Sequence, residues 1–207
     1  MGERQAVRVL RVTAFLGAAF PLAWLVRGIV TSDLGPEPVD TIQHWTGLPA
    51  LSFLWLSLAV SPMRRVWGLN GLVRLRRPLG LAAYGYALLH LLSYLVFDQE
   101  LSAAEIVKDI AEHPWVLVGF SAFLLLTPLA LTSTQGWIRR LGGRRWQQLH
   151  RLVYPAAILA GLHFLWLVKR DVTKPVAYLI VIALLLGARL LLRRAPRAAP
   201  SASAVRS

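Results

Sequence analysis

The amino-acid sequence predicts an all-α membrane protein, a bundle of six transmembrane helices with both termini on the cytoplasmic side. Three observations carry this expectation. The 207 residues are 56% hydrophobic and only 16% charged, with mean hydropathy +0.54, whereas soluble domains run near 45–50% apolar and about 25% charged. Six apolar stretches reach the roughly 20 residues a helix needs to cross a hydrocarbon core about 30 Å thick. The net charge of +13 is gathered into short arginine clusters between those stretches, a pattern that orients a membrane protein and does not call for nucleic acid as a partner.

The predicted spans are 9–30, 44–63, 79–97, 115–134, 150–168 and 174–192. Turn and charge signals bound each one, and no linker is long enough for a second domain, so 1–207 reads as one transmembrane domain with a flexible basic tail at 193–207. With the amino terminus inside, Arg4, Arg8 and Arg11, the cluster Arg64 to Arg77, the cluster Arg139 to Arg145 and the arginines after Leu192 all fall inside. Only Lys108, Lys169, Arg170 and Lys174 fall outside, and this asymmetry sets the orientation. Every acidic residue except Glu3 lies in the outward loops. That face would steer a basic external partner, although a merely solvated surface is the plainer reading. The first span lacks an Ala-x-Ala cleavage site and reads as a retained anchor. Arg27 and Arg189, near span ends, are expected to snorkel to the interface.

There is no cysteine, which excludes disulfides, thiolate metal sites and covalent haem attachment through Cys-x-x-Cys-His. Redox or metal chemistry would therefore rest on a bound cofactor and on histidine, carboxylate or tyrosine. His44 and His113 sit at span ends, where interfacial capping suffices. His90 is about 16 Å into the third span and His163 about 20 Å beyond His150 in the fifth, at 1.5 Å per residue. Both spans start inside, so the two imidazoles reach similar depth near the bilayer centre. Two neutral imidazoles on separate helices at one depth are what the two axial positions of a haem iron require. Either one alone could be a packed structural histidine; the matched pair reads as ligands. Met1 and Met63 are not deep in a span, so a haem here would have two histidine ligands.

Around these residues, Ala83, Tyr86, Ala87, Ser93 and Tyr94 share the face of His90, and Ala156, Ala160 and Trp166 that of His163. Small residues could admit a flat macrocycle, or could simply let helices pack closely. His150, beside Arg144, Arg145 and Arg151, reads either as a ligand of a second haem or as an interfacial histidine; the arginines could meet a haem propionate, a flavin phosphate or a lipid head group. Zinc-protease, hydrolase and nucleotide-binding motifs are missing, and no acidic residue lies at membrane depth, which argues against a proton pump.

Arg76-Arg77-Pro78-Leu79-Gly80-Leu81, Tyr84 to Tyr94 with Leu89-His90, Pro128 to Ser133, and above all Arg145-Trp146-Gln147-Gln148-Leu149-His150-Arg151-Leu152-Val153-Tyr154 followed by His163-Phe164-Leu165-Trp166 resemble the MsrQ (formerly YedZ) family. These are haem-binding membrane subunits of the bacterial periplasmic methionine sulfoxide reductase system, related to ferric reductase and NADPH oxidase transmembrane domains. The resemblance spans nearly the whole chain. It implies a bacterial inner-membrane protein with b-type haem, one or two, held by His90, His150 and His163, and FMN as a further family cofactor. It also implies electrons arriving from the quinone pool or a cytosolic flavin donor and leaving to a periplasmic molybdopterin reductase, MsrP, for repair of oxidised methionines. Oxidase relatives carry two histidines on each of spans three and five. Here span three has only His90, with Arg76 fourteen residues before it and Ala104 fourteen after.

The expectation is thus an electron-transfer subunit with no turnover of its own. A ferric or cupric reductase would normally need an attached flavin and nicotinamide domain, for which no segment is visible. A cofactor-free transporter or assembly subunit, its histidines serving helix contacts, is the remaining alternative.

Overall fold

In the computed structural model, residues 3–168 and 171–194 are described, and the regular structure among them is helical. Lys169, Arg170 and residues 195–207, hence most of the predicted basic tail, lie outside the described residues. The order is α1 (Glu3–Val30), α2 (Pro38–Trp67), a 3-10 segment (Asn70–Leu75), α3 (Arg76–Ser93) continued by a π turn (Tyr94–Asp98), α4 (Ala103–Glu112), α5 (Pro114–Leu131), α6 (Gln135–Leu149), a 3-10 turn (His150–Leu152), α7 (Val153–Leu167) and α8 (Thr173–Arg194).

Five segments are long and apolar enough to cross a membrane: Arg8–Val30, Pro38–Trp67, Asn70–Asp98, Pro114–Leu131 and Thr173–Leu191. They coincide with five of the six predicted spans. The span predicted at 150–168 is shorter than expected, because α7 has 15 residues, about 22 Å at 1.5 Å per residue. Pro155 sits in its first turn, where a missing N–H leaves no helical bond unmade. The helix therefore starts beside the proline, and His150 falls in the preceding 3-10 turn.

Two connections expected as charged loops are helices. Ser102 caps α4 by accepting a hydrogen bond from Glu105 N, and Thr134 caps α6 by accepting one from Trp137 N; each satisfies a backbone donor that a helix start leaves free. Inside α6, Gly142 has φ +72° and ψ 153°, a conformation open to glycine alone at little strain, and it breaks the helix beneath the arginine cluster.

α2 lies at the centre, packed on α1, α3, α7 and α8, while α5 packs on α3 and α7. Leu54, Leu58, Leu79, Ala83, Leu126, Ala156 and Ala157 form its core. Large apolar side chains such as Phe15, Leu124 and Leu184 remain exposed, as suits a wall solvated by lipid. One long-range contact ties α1 to the bundle. Pro21 lies inside α1, and the Tyr86 hydroxyl enters the backbone ladder beside it, accepting from Leu22 N at 3.2 Å and donating to Ala18 O. A side-chain hydroxyl thus stands where an i→i−4 bond would run. Tyr86 is 5% exposed and lies one turn before His90.

Candidate cofactor site

His90 is carried by α3 and His163 by α7, and the bundle brings their rings to 6.2 Å between centres with planes 72° apart. Each ring is held through Nδ1 by a carbonyl of the helix next to it. His90 Nδ1 donates to Gln43 O at 3.1 Å, with Thr46 Oγ1 at 3.3 Å; His163 Nδ1 donates to Trp115 O at 2.7 Å. Donation at Nδ1 fixes the neutral tautomer and leaves the Nε2 lone pair as the ligating one, the arrangement of metal-bound histidines generally.

Glycines make the two close approaches. A Cβ on Gly47 of α2 would lie 3.0 Å from His90 Cε1, and one on Gly119 of α5 would lie 2.7 Å from His163 Nδ1. Each imidazole therefore rests on bare backbone. A metal about 2 Å from each ring nitrogen, with each nitrogen about 1 Å from its ring centre, holds two coaxial imidazole centres about 6 Å apart. The observed 6.2 Å fits that spacing. Among the described residues no group of three His, Asp or Glu side chains could hold a metal ion, so paired imidazoles are the donor set available. They fit an iron whose equatorial positions a macrocycle fills.

The neighbours singled out from the sequence take other roles. Ala83 and Ala156 are buried in the helix–helix core, Tyr86 is spent on α1, and Trp166 is 57% exposed. Room for the rings comes from glycines on facing helices, which spacing along α3 or α7 could not reveal.

His150 is not paired with a second imidazole. Its ring stacks on Trp146 at 3.8 Å, its Nδ1 donates to Trp146 O at 3.1 Å, and its Nε2 is buried without a hydrogen-bond partner. The Leu129 backbone lies against the same imidazole. Arg144, Arg145 and Arg151 are exposed on α6 and the turn after it. The arginine turned toward the neighbouring helices is Arg189. Its Nη1 donates to Tyr154 OH at 2.7 Å and its Nη2 to Ser61 Oγ at 2.6 Å, and its Nε is buried without a partner. Arg76 and Arg64 add positive charge nearby, and among the described residues no carboxylate pairs with Arg189.

On the opposite end, His113 joins α4 to α5. Its Nδ1 donates to Asp109 Oδ1 at 2.7 Å, while Tyr94 OH donates to Asp109 Oδ2 at 2.6 Å; the side chain makes no capping hydrogen bond to α5. Asp109 so links the turn after His90 to His113, two residues before Trp115, which lies in the first turn of α5 and is bonded to His163.

Residues 44–161 match the family described as the ferric reductase like transmembrane component, and this match, over more than half the chain, agrees with a bundle of long apolar helices. The chain belongs to the ferric reductase-like transmembrane proteins. Curated relatives narrow the class. Proteins named "Protein-methionine-sulfoxide reductase heme-binding subunit MsrQ" are similar to it: one from Azospira oryzae is 45% identical over 89% of this chain and 79% of its own. One from Rhodospirillum rubrum is 44% identical over 88% of each chain, and one from Xanthomonas campestris is 47% identical over 91% of this chain and 85% of its own. Within the superfamily the chain is therefore a member of the MsrQ family.

Proposed function

We propose that the protein is the haem-carrying electron conduit of a methionine sulfoxide reductase system, set in the bacterial inner membrane with both termini cytoplasmic and with α7, extended by the His150–Leu152 turn, as a sixth and short span. The charge asymmetry of the loops supports this orientation. The observation that carries the functional reading is the His90–His163 pair, 6.2 Å apart, each with Nδ1 bonded to a carbonyl of a neighbouring helix. Haem b, bound there, supplies one-electron chemistry. The chain supplies the rest. Gln43 O and Trp115 O hold the imidazole tautomers, Gly47 and Gly119 let the rings sit close, and the apolar helices keep water from the centre.

His150, with its unpartnered Nε2, is the protein's ligand for a second haem or the lining of a flavin site. Arg144, Arg145 and Arg151 would neutralise propionate or FMN phosphate at that end. Electrons come from the quinone pool or a cytosolic flavin reductase and leave to a periplasmic MsrP-like molybdopterin enzyme. The chain acts as an electron-transfer subunit with no active site of its own. The test is haem quantified per chain, with reduced spectra, for His90→Ala, His163→Ala and His150→Ala. Loss of the main haem in the first two variants is expected. Full haem in either would refute the reading.

A further inference from the structure

Three arginines from three helices meet at the end of the bundle assigned to the cytoplasm. Ser57, Ser61 and Arg64 follow one another at four and three residues along α2 and so share one of its faces. The start of α3 and the last turns of α8 stand against that face: Ser57 Oγ donates to Arg76 O at 3.2 Å, and Arg189 Nη2 donates to Ser61 Oγ at 2.6 Å. Arg76 lies within electrostatic reach of both Arg189 and Arg64. Among the described residues no carboxylate pairs with any of the three; Arg27 with Asp33 and His113 with Asp109 are pairs of the opposite end, where every acidic residue except Glu3 falls.

Arg189 is held in place but not neutralised. Its Nη1 donates to Tyr154 OH at 2.7 Å, and its Cζ lies 5.4 Å over the Tyr154 ring. Two hydroxyls and an aromatic face orient the guanidinium and carry no charge to balance it, and its Nε is buried without a partner. A cation at the edge of a membrane core is costly unless it is paired. The fork of donors on a guanidinium matches the oxygens of a phosphate.

The surroundings favour a phosphate that arrives on a lipid. α8 packs chiefly on α7 and α2, and Leu190 and Leu191, next to Arg189, are 61% and 70% exposed on the wall that faces acyl chains. Arg189 stands five residues before the end of α8, about 7 Å along the helix, near the level of head groups. A free anion has no apolar part to cover that wall. We propose that Arg189, Arg64 and Arg76 bind the phosphate of an anionic phospholipid whose chains lie along Leu190 and Leu191. Three positive charges prefer a head group of net negative charge to a zwitterionic one. The site is separate from the His90–His163 pair and does not rest on haem being bound there.

The test is native mass spectrometry of the full chain, released from detergent with phosphatidylglycerol or with phosphatidylcholine of the same chains. Phosphatidylglycerol should bind about tenfold more tightly than phosphatidylcholine. That preference should be largely lost in both Arg189→Gln and Arg64→Gln and kept in Arg140→Gln, an exposed arginine of α6. Haem per chain should stay unchanged in all three, which shows that they fold; if Arg189→Gln does not fold, Arg64→Gln decides alone. Equal affinity for the two lipids, or a preference indifferent to Arg189→Gln and Arg64→Gln, would overturn the proposal. So would an equal loss in Arg140→Gln, which marks attraction to a basic surface in general. Displacement of the lipid by inorganic phosphate or FMN would give the arginines to a free anion and overturn the lipid. Arg76 also lies within reach of His150, so a haem propionate is the remaining rival: haem lost from Arg64→Gln at an unchanged thermal midpoint would assign the site to it and overturn the proposal.

Discussion

Gly119→Ala is the smallest change that reaches the centre of the molecule. The added methyl would lie 2.7 Å from His163 Nδ1, 2.8 Å from Cε1 and 3.0 Å from Cγ, whereas carbon contacts settle near about 3.5–4.0 Å. Either α5 or the ring must move by roughly 0.8 Å or more to restore that spacing. The ring cannot move freely, because Nδ1 is bonded to Trp115 O at 2.7 Å, one turn from Gly119 on the same helix. Overpacking of this kind costs about 1–3 kcal/mol, and a stretched or lost hydrogen bond about 1 kcal/mol. At 1.4 kcal/mol per tenfold, a combined loss of about 2–4 kcal/mol weakens haem retention by roughly 30- to 1,000-fold. The assay is haem titration into purified apoprotein, followed by the haem band. Gly85→Ala on α3, where an added Cβ meets nothing within 4 Å, is the control and should bind as wild type. Haem affinity in Gly119→Ala within threefold of wild type would refute the argument that His163 is seated on bare backbone.

Other outcomes follow from single contacts. Gly47→Ala, whose Cβ would stand 3.0 Å from His90 Cε1, should weaken haem binding less than Gly119→Ala in the same titration. Tyr86→Phe removes the hydroxyl between Leu22 N and Ala18 O; at about 1–2 kcal/mol and some 2–4 °C per kcal/mol for a chain of this size, the thermal midpoint should fall by roughly 2–8 °C. Arg144→Gln with Arg145→Gln should lower FMN retained on purification while leaving the main haem in place, and unchanged flavin content would reject the role given to those arginines. Asp109→Ala cuts the link between Tyr94 and His113 and should shift the haem midpoint potential without loss of haem, read by redox titration.

What the sequence made legible was what depends on local composition and on depth. Apolar runs of about 20 residues found five membrane-length segments, though the second and third begin six and nine residues earlier than expected, and rise per residue alone put His90 and His163 near one level. What it hid depends on neighbours distant along the chain. Gly47 and Gly119 look like ordinary helix glycines until α2 and α5 are set against α3 and α7. The hydroxyl of Tyr86 serves a helix 64 residues away. Arg189 bonds to Tyr154 and Ser61, partners on two other helices. The helix α4 was missed for a different reason. Its start carries the Ser102-Ala103-Ala104-Glu105 capping pattern and the apolar pair Ile106 and Ile110, a readable signal masked by the charge that marked the segment as a loop. Shortening of α7 follows from Pro155, which stands in its first turn.

The central claim is that two imidazoles on different helices share one iron, and electron paramagnetic resonance of the oxidised, detergent-solubilised protein tests it most directly. With ring planes 72° apart, the account predicts a low-spin, strongly anisotropic ferric signal of the kind given by near-perpendicular axial imidazoles, lost in both His90→Ala and His163→Ala. A high-spin signal in the wild type, or a low-spin signal that survives either substitution, would contradict it.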